Sequence, residues 1–104
     1  MGRFRFSRLA EADLYNIGTY TLRTWGEAQA DRYLTQLEAC CQRLADNPAL
    51  GRPCDEIRPG LRRLEQGRHV VFNREELGGI VISRILHQRM LPENQDIDDE
   101  DEQD

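Results

Sequence analysis

Residues 57–90 read IRPGLRRLEQGRHVVFNREELGGIVISRILHQRM, and this stretch decides the fold. Three short β-type runs are separated by turn residues. The first is residues 61–64. The second, residues 69–73, alternates Val70 and Phe72 against His69, Val71 and Asn73. The third, residues 80–86, places Ile80, Ile82, Arg84 and Leu86 on one face by strand alternation. Residues 75–79 between the last two form a hairpin loop. Arginine stands at nearly every break in the apolar pattern: Arg58, Arg62, Arg63, Arg68, Arg74, Arg84 and Arg89. A sheet this short and basic needs a cover on one face and a partner for the other.

Upstream, RFRFS (residues 3–7) has period two, a half-buried strand with Phe4 and Phe6 on one side. Ser7 is placed to cap a helix starting near Arg8. Ala10, Leu14, Ile17 and Thr21 then follow at i, i+4, i+7 and i+11, with Glu11 and Asp13 near the positive helix end. Gly18 inside this helix costs about 1 kcal/mol against Ala, which close approach of a neighbouring backbone would explain. Trp25-Gly26 ends it, with glycine at a left-handed position. A second helix over residues 27–45 carries Ala30, Leu34, Leu37, Cys41 and Leu44 as its stripe, and Asn47-Pro48 stops it. Two helices on so short a link form an antiparallel hairpin. A loop holding Gly51, Pro53 and Pro59-Gly60 follows. The order β-α-α-β-β-β predicts an α+β domain: a small antiparallel sheet packed on an N-terminal helical hairpin.

The bulk numbers bound the rest. The chain has 104 residues, 38% of them hydrophobic, and a mean hydropathy of −0.73, so one domain with a thin core that a partner or dimer completes. All 14 basic residues are arginine, all lie in residues 1–92, and 11 of the 19 acids lie there too, for a net +3. The other eight acids, with no base, crowd residues 93–104. The domain is therefore residues 1–92, followed by an acidic tail whose composition predicts disorder. Cys40, Cys41 and Cys54 lack metal-ligand spacing and read as small apolar residues in a reducing cytosol. Neither a metal nor a cofactor is expected. The start MGRFRFSR has no signal-peptide character and no apolar run approaches a membrane span, which predicts a cytoplasmic protein without membrane contact.

The ordered series of features resembles the ParE branch of the RelE/ParE toxins of bacterial type II toxin–antitoxin modules. The series is the opening strand, Ala10-x-x-Asp13-Leu14, Tyr20, Trp25-Gly26, Gln29-Ala30, Tyr33, Leu37, Pro48 and Gly51-Arg52. It continues through Gly60-Leu61-Arg62-Arg63, Gly67, His69, Phe72, Arg74, Gly79-Ile80, Arg84-Ile85-Leu86-His87 and Arg89-Met90. The resemblance covers the chain from Phe4 to Met90. It implies the same β-α-α-β-β-β fold and a ParD-like antitoxin that wraps the toxin with a flexible C-terminal part. For ParE-type members it implies inhibition of DNA gyrase and a block of replication; RelE-type members instead cut messenger RNA on the ribosome.

The residues bear on that choice. Metal-free RNA cleavage needs a base, an acid and cations for the phosphate. Arg63 and Arg84 qualify as cations and His87 titrates in the right range, but a second acid–base partner is missing. The half-equipped set favours a non-enzymatic gyrase inhibitor, with the endoribonuclease (Arg63, Arg84, His87) as the alternative. Target contacts are expected at Trp25, Arg84, His87, Arg89 and Met90. Antitoxin contacts are expected at Arg58, Arg62, Arg63, Arg68 and Arg74, where carboxylates of an acidic amphipathic peptide can pair. The plain readings stand beside these: Arg84 ion-paired with Glu11, Asp13 or Glu65, His87 as a strand-end hydrogen-bonding group, and Trp25, Tyr20, Gln29 and Tyr33 as hairpin packing. A third class is a non-toxic co-repressor that only binds antitoxin. Operator DNA is met only through the antitoxin, since no DNA-reading motif is present.

Overall fold

The computed structural model describes residues 2–90 and 92–97. β1 (Phe4–Phe6) runs through Ser7 into α1 (Arg8–Trp25), and α2 (Glu27–Asp46) follows after Gly26 alone. A 3-10 turn (Pro48–Leu50) leads to β2 (Arg52–Pro53), β3 (Arg62–Gln66), β4 (His69–Glu76) and β5 (Gly79–His87). Gly26 has φ +90°, open to glycine and rarely adopted by other residues, and this lets the helices fold back on each other.

The five strands are ordered β1-β5-β4-β3-β2, and the sheet is mixed rather than wholly antiparallel. β1 pairs parallel with β5, Phe4 beside Ile80 and Phe6 beside Ile82. The helical hairpin supplies the long connection that a parallel neighbour requires. β2 is a two-residue edge strand where Pro53 does no harm to the ladder. The β4–β5 hairpin is tighter than its sequence suggests, with Glu76 opposite Gly79.

Ser7 joins three elements. Its hydroxyl accepts the Ala10 N–H at 3.0 Å, capping α1, and donates to the Ser83 carbonyl at 2.8 Å. Its own N–H donates to the Ile82 carbonyl at 3.0 Å. At that point β5 bulges: Asn73 lies opposite Ile82 but Phe72 lies opposite Arg84, so Ser83 is the extra residue. The bulge reverses the alternation. Ile80, Ile82 and Ile85 join the core under the helices, with Val71, Leu37, Cys40, Cys41 and Leu44. Leu86 joins a second cluster behind the sheet, with Cys54, Leu61, Val70, Phe72 and Ile97. Arg84 pairs with Phe72, so its backbone position faces the rear, and its guanidinium reaches past the open edge of β5 to Asp13 of α1. The single face of Ile80, Ile82, Arg84 and Leu86 expected from alternation is thus split in two.

Two further expectations change. Gly18 meets the Leu34 side chain, whose Cδ1 lies 3.4 Å from where a Cβ would sit, and not a neighbouring backbone. Residues 92–97 do not leave the domain at Glu93. They form a 3-10 turn (Pro92–Asn94) and bury Ile97 to 4% exposure in the rear cluster, because Ile97 is the one large apolar residue after Pro92 and the sheet offers it an apolar seat. The remainder of the predicted tail, 98–104, lies outside the described residues.

Candidate functional site

The helices do not cover the sheet evenly. At the end where α1 meets α2 they part from the strands, leaving an apolar-lined groove of about 630 Å³. α1 contributes Asn16, Tyr20 and Trp25, α2 contributes Gln29 and Tyr33, and the β3–β4 turn contributes Gly67, Arg68 and His69. His87 and Met90 close the far side. Trp25 is 59% exposed, and Tyr20 and Met90 are also largely exposed. The hairpin-packing reading of Tyr20, Gln29 and Trp25 is therefore corrected. Their α1 and α2 positions fall beside the buried stripes and form the rim of the groove.

At its floor lies a small polar cluster. The Tyr33 hydroxyl stands 2.5 Å from His69 Nδ1 and 3.2 Å from the Gln66 carbonyl, and it accepts the Arg68 N–H at 3.1 Å. Its one proton goes to Nδ1 when His69 is neutral and to Gln66 when Nδ1 is protonated. Burial pushes the Tyr33 hydroxyl above its usual pKa, against the opposing pull of the Arg68 backbone and charge, so it stays a donor near neutrality. Burial also holds His69 below the ordinary histidine range, helped by His87 and opposed by Asp13. The His69 and His87 rings meet edge to face with centroids 5.5 Å apart, and His87 Nδ1 accepts the Arg89 N–H at 3.1 Å. That bond leaves the His87 proton on Nε2.

Gly67 makes this geometry possible. It has φ +60°, and a Cβ there would lie 2.7 Å from the Tyr33 ring. Tyr33, His69, Arg68 and Asn16 were absent from the sequence-derived target site. The signals in the sequence were Tyr33 and the Gly67-x-His69 pair, both part of the series that resembles ParE toxins.

The predicted target residues divide. Trp25, His87 and Met90 all line the groove, and exposed Arg89 lies two residues after His87. Arg84 does not join them. It is 9% exposed, its Nε and Nη2 donate to the two Asp13 carboxylate oxygens at 2.7 and 2.8 Å, and Nη1 donates to the Asp96 carbonyl at 2.6 Å. Its place is that of a structural ion pair, with Asp13 the partner among the three candidates.

The alternative nuclease set is also taken apart. Arg63, Phe72 and Arg84 are in register across three strands, so Arg63 and Arg84 share the rear face. His87 pairs with His69 and faces the helical side with Tyr33. Arg63 lies across the sheet from His87, and the Arg84 guanidinium is taken up by Asp13 of α1 and the Asp96 carbonyl, so the three do not converge on one phosphate.

The five arginines expected to bind antitoxin do not form one patch. By strand alternation Arg63 and Arg74 lie on the rear face and Arg62 on the helical side, where it donates to the Gly51 carbonyl at 2.7 Å. Arg68 stands at the groove mouth and Arg58 in the loop before β3. Among the described residues no group of three or more His, Cys, Asp or Glu side chains could hold a metal ion, and no helix is long and apolar enough to cross a membrane.

Comparison with known proteins gives this geometry a context. Residues 4–92 match the family described as ParE toxin of type II toxin-antitoxin system, parDE. Toxin ParE1 of Mycobacterium tuberculosis is 45% identical over 89 residues, covering 85% of this chain and 91% of that protein. Toxin ParE1 of Caulobacter vibrioides is 42% identical over 90 residues, 86% of this chain and 93% of the relative. Toxin ParE of Escherichia coli is 40% identical over 82 residues, 78% and 80%. A solved structure described as the chromosomal ParDE TA system from P. aeruginosa superposes with a TM-score of 0.70 at 24% identity, covering 84% of this chain and 96% of that one, and so shares the fold. The chain belongs to the ParE family of toxins from type II toxin–antitoxin systems.

Proposed function

We propose that this toxin acts in the cytoplasm by protein–protein contact with DNA gyrase, blocking replication without chemistry of its own. A ParD-like antitoxin neutralises it in a hetero-oligomer that meets operator DNA only through the antitoxin. The observation that carries this reading is that Arg63 lies across the sheet from His87 while Arg84 is taken up by Asp13, in a chain whose relatives are ParE toxins. What the helical side offers instead is an apolar groove with an exposed aromatic and thioether rim, Trp25, Tyr20 and Met90. Large aromatics of this kind, once buried by a partner, dominate protein–protein contact energies.

The test is a supercoiling and DNA-cleavage assay with purified gyrase and antitoxin-free protein, run beside a translating-ribosome messenger RNA cleavage assay. Inhibited gyrase with intact messenger RNA is the expected result. Cut messenger RNA with unaffected gyrase would overturn it and move attention to His69, His87 and Arg68 in the groove. Toxicity on induced expression without antitoxin separates both from the co-repressor reading, which predicts normal growth.

A further inference from the structure

The rear face of the sheet is closed by the chain's own C-terminal segment. Ile97 sits in the apolar cluster formed by Cys54, Leu61, Val70, Phe72 and Leu86. One residue earlier, the Asp96 carbonyl accepts from Arg84 Nη1 at 2.6 Å. The seat lies among arginines: Arg63 and Arg84 flank Phe72 in register, and Arg74 is on the same face. Residues 93–104 carry eight acids and no base, and the described part of that stretch, ending at Ile97, is seated beside these arginines. The family match ends at Pro92, just before this stretch.

We propose that residues 92–97 are a displaceable strap, a tethered ligand that competes with an acidic, amphipathic partner peptide for the rear face of the sheet. The anchor is small. One aliphatic side chain and one charge-assisted hydrogen bond are set against the entropy of ordering six residues, which leaves seated and released states close in free energy. The strap also leaves a bond unmade. Arg63 Nε is buried beside Phe72 with no hydrogen-bond acceptor among the described residues. A partner that supplies a carboxylate there gains a contact the strap lacks. Competition of this kind weakens the partner's apparent affinity by the fraction of time the seat is empty, about tenfold for a strap seated 90% of the time. The partner's identity as antitoxin rests on the function proposed above; the strap itself does not.

The experiment uses the full chain and a fluorescent synthetic peptide of residues 92–104, PENQDIDDEDEQD. The wild-type protein binds this peptide weakly because its own strap holds the seat. The Ile97→Asp variant, with its seat vacated, binds it at least about tenfold more tightly, and salt weakens that binding. Equal binding by both proteins, or none by a folded Ile97→Asp variant, overturns the proposal. Native-state hydrogen exchange of the wild-type chain covers the case of a variant that does not fold. Amides of residues 93–97 exchange as one unit at least about a hundredfold faster than the central β4–β5 ladder; exchange at the ladder's rate overturns the proposal by making the segment a fixed part of the fold. Neither measurement involves gyrase or antitoxin. A positive strap result followed by unchanged antitoxin affinity in Ile97→Asp would therefore count against the antitoxin as the competing partner and leave the strap standing.

Discussion

Asp13 and Arg84, 71 positions apart in sequence, form a two-pronged ion pair at 2.7 and 2.8 Å, and Asp13 Oδ2 also accepts the Ile85 N–H at 2.9 Å. β1 ends at Phe6, so β5 loses its strand neighbour beyond Ile82, and a helix side chain takes over part of the missing ladder. Both side chains are nearly buried, at 11% and 13% exposure. Removing one partner leaves a charge with no compensation, which costs about 3–5 kcal/mol for buried pairs. Asp13→Ala or Arg84→Ala should lower the urea unfolding free energy by about 3 kcal/mol, and a double variant should lose less than the two singles combined. A well-folded Arg84→Ala protein of native stability would refute the structural role and reopen Arg84 as a target contact.

His69 ties stability to pH. Its folded pKa lies below the ordinary 6.5 because burial disfavours the charged ring and His87 adds repulsion. The unfolded chain then binds the proton at a pH where the folded chain does not. Stability is fully present above about pH 7, declines as pH falls through the ordinary histidine value, and levels off below the folded pKa. His69→Gln should flatten this part of a urea-midpoint profile between pH 5 and 8. An identical slope in wild type and variant would assign the effect elsewhere.

Gly67 is required on two counts, its φ of +60° and the 2.7 Å approach to the Tyr33 ring. Gly67→Ala should destabilise the protein by about 1–3 kcal/mol and push Tyr33 away from His69. The second effect is read by NMR as a changed His69 titration with His87 still ordered. Unperturbed His69 shifts would show that the turn yields without disturbing the groove.

Much of the fold was legible because the responsible signals are local. Ser7 reads as a cap, the two stripes as a helical hairpin, and the apolar runs as strands, all from residues within a turn or two of one another. What escaped depends on one residue. With Glu76 opposite Gly79 an unbroken hairpin places His69 opposite Leu86; the bulge at Ser83 places it opposite His87 instead. That shift brings the two imidazoles together and turns Arg84 out of the core face, leaving its guanidinium to Asp13 and the Asp96 carbonyl. Ser83 carries no sequence mark of a bulge, since its cause is the Ser7 hydroxyl bonding to its carbonyl from 76 positions away. Ile97 escaped for the opposite reason. An acidic, low-hydropathy stretch hides one apolar residue whose seat exists only once the sheet has formed.

The cysteines should be chemically silent in the native protein. Cys40, Cys41 and Cys54 are all buried and unpaired, and burial, with Cys40 and Glu38 nearby, pushes Cys41 up to about 12. Only the thiolate reacts, so at pH 8 native protein should take up almost no iodoacetamide while urea-unfolded protein takes up three equivalents. Rapid labelling of Cys40 or Cys41 in the folded chain would mean that the seam between α2 and the sheet opens readily, and rapid labelling of Cys54 that the rear cluster under Ile97 does.

The groove rim separates stability from function. Trp25 and Met90 are exposed and make few demands on the core, so Trp25→Ala and Met90→Ala should each change unfolding free energy by about 0.5 kcal/mol or less. If the rim is the surface that grips the target, the same truncations remove the large side chains that carry contact energy, typically about 2 kcal/mol or more at a central aromatic. That loss corresponds to roughly thirtyfold weaker inhibition for Trp25→Ala in the supercoiling assay. Leu77, exposed at the tip of the β4–β5 hairpin and remote from the groove, is the control: Leu77→Ala should alter neither stability nor inhibition. Full inhibition by a folded Trp25→Ala, Met90→Ala double variant would move the target surface away from the groove. The rear face, with Arg63 and Arg74, would then be the next surface to test.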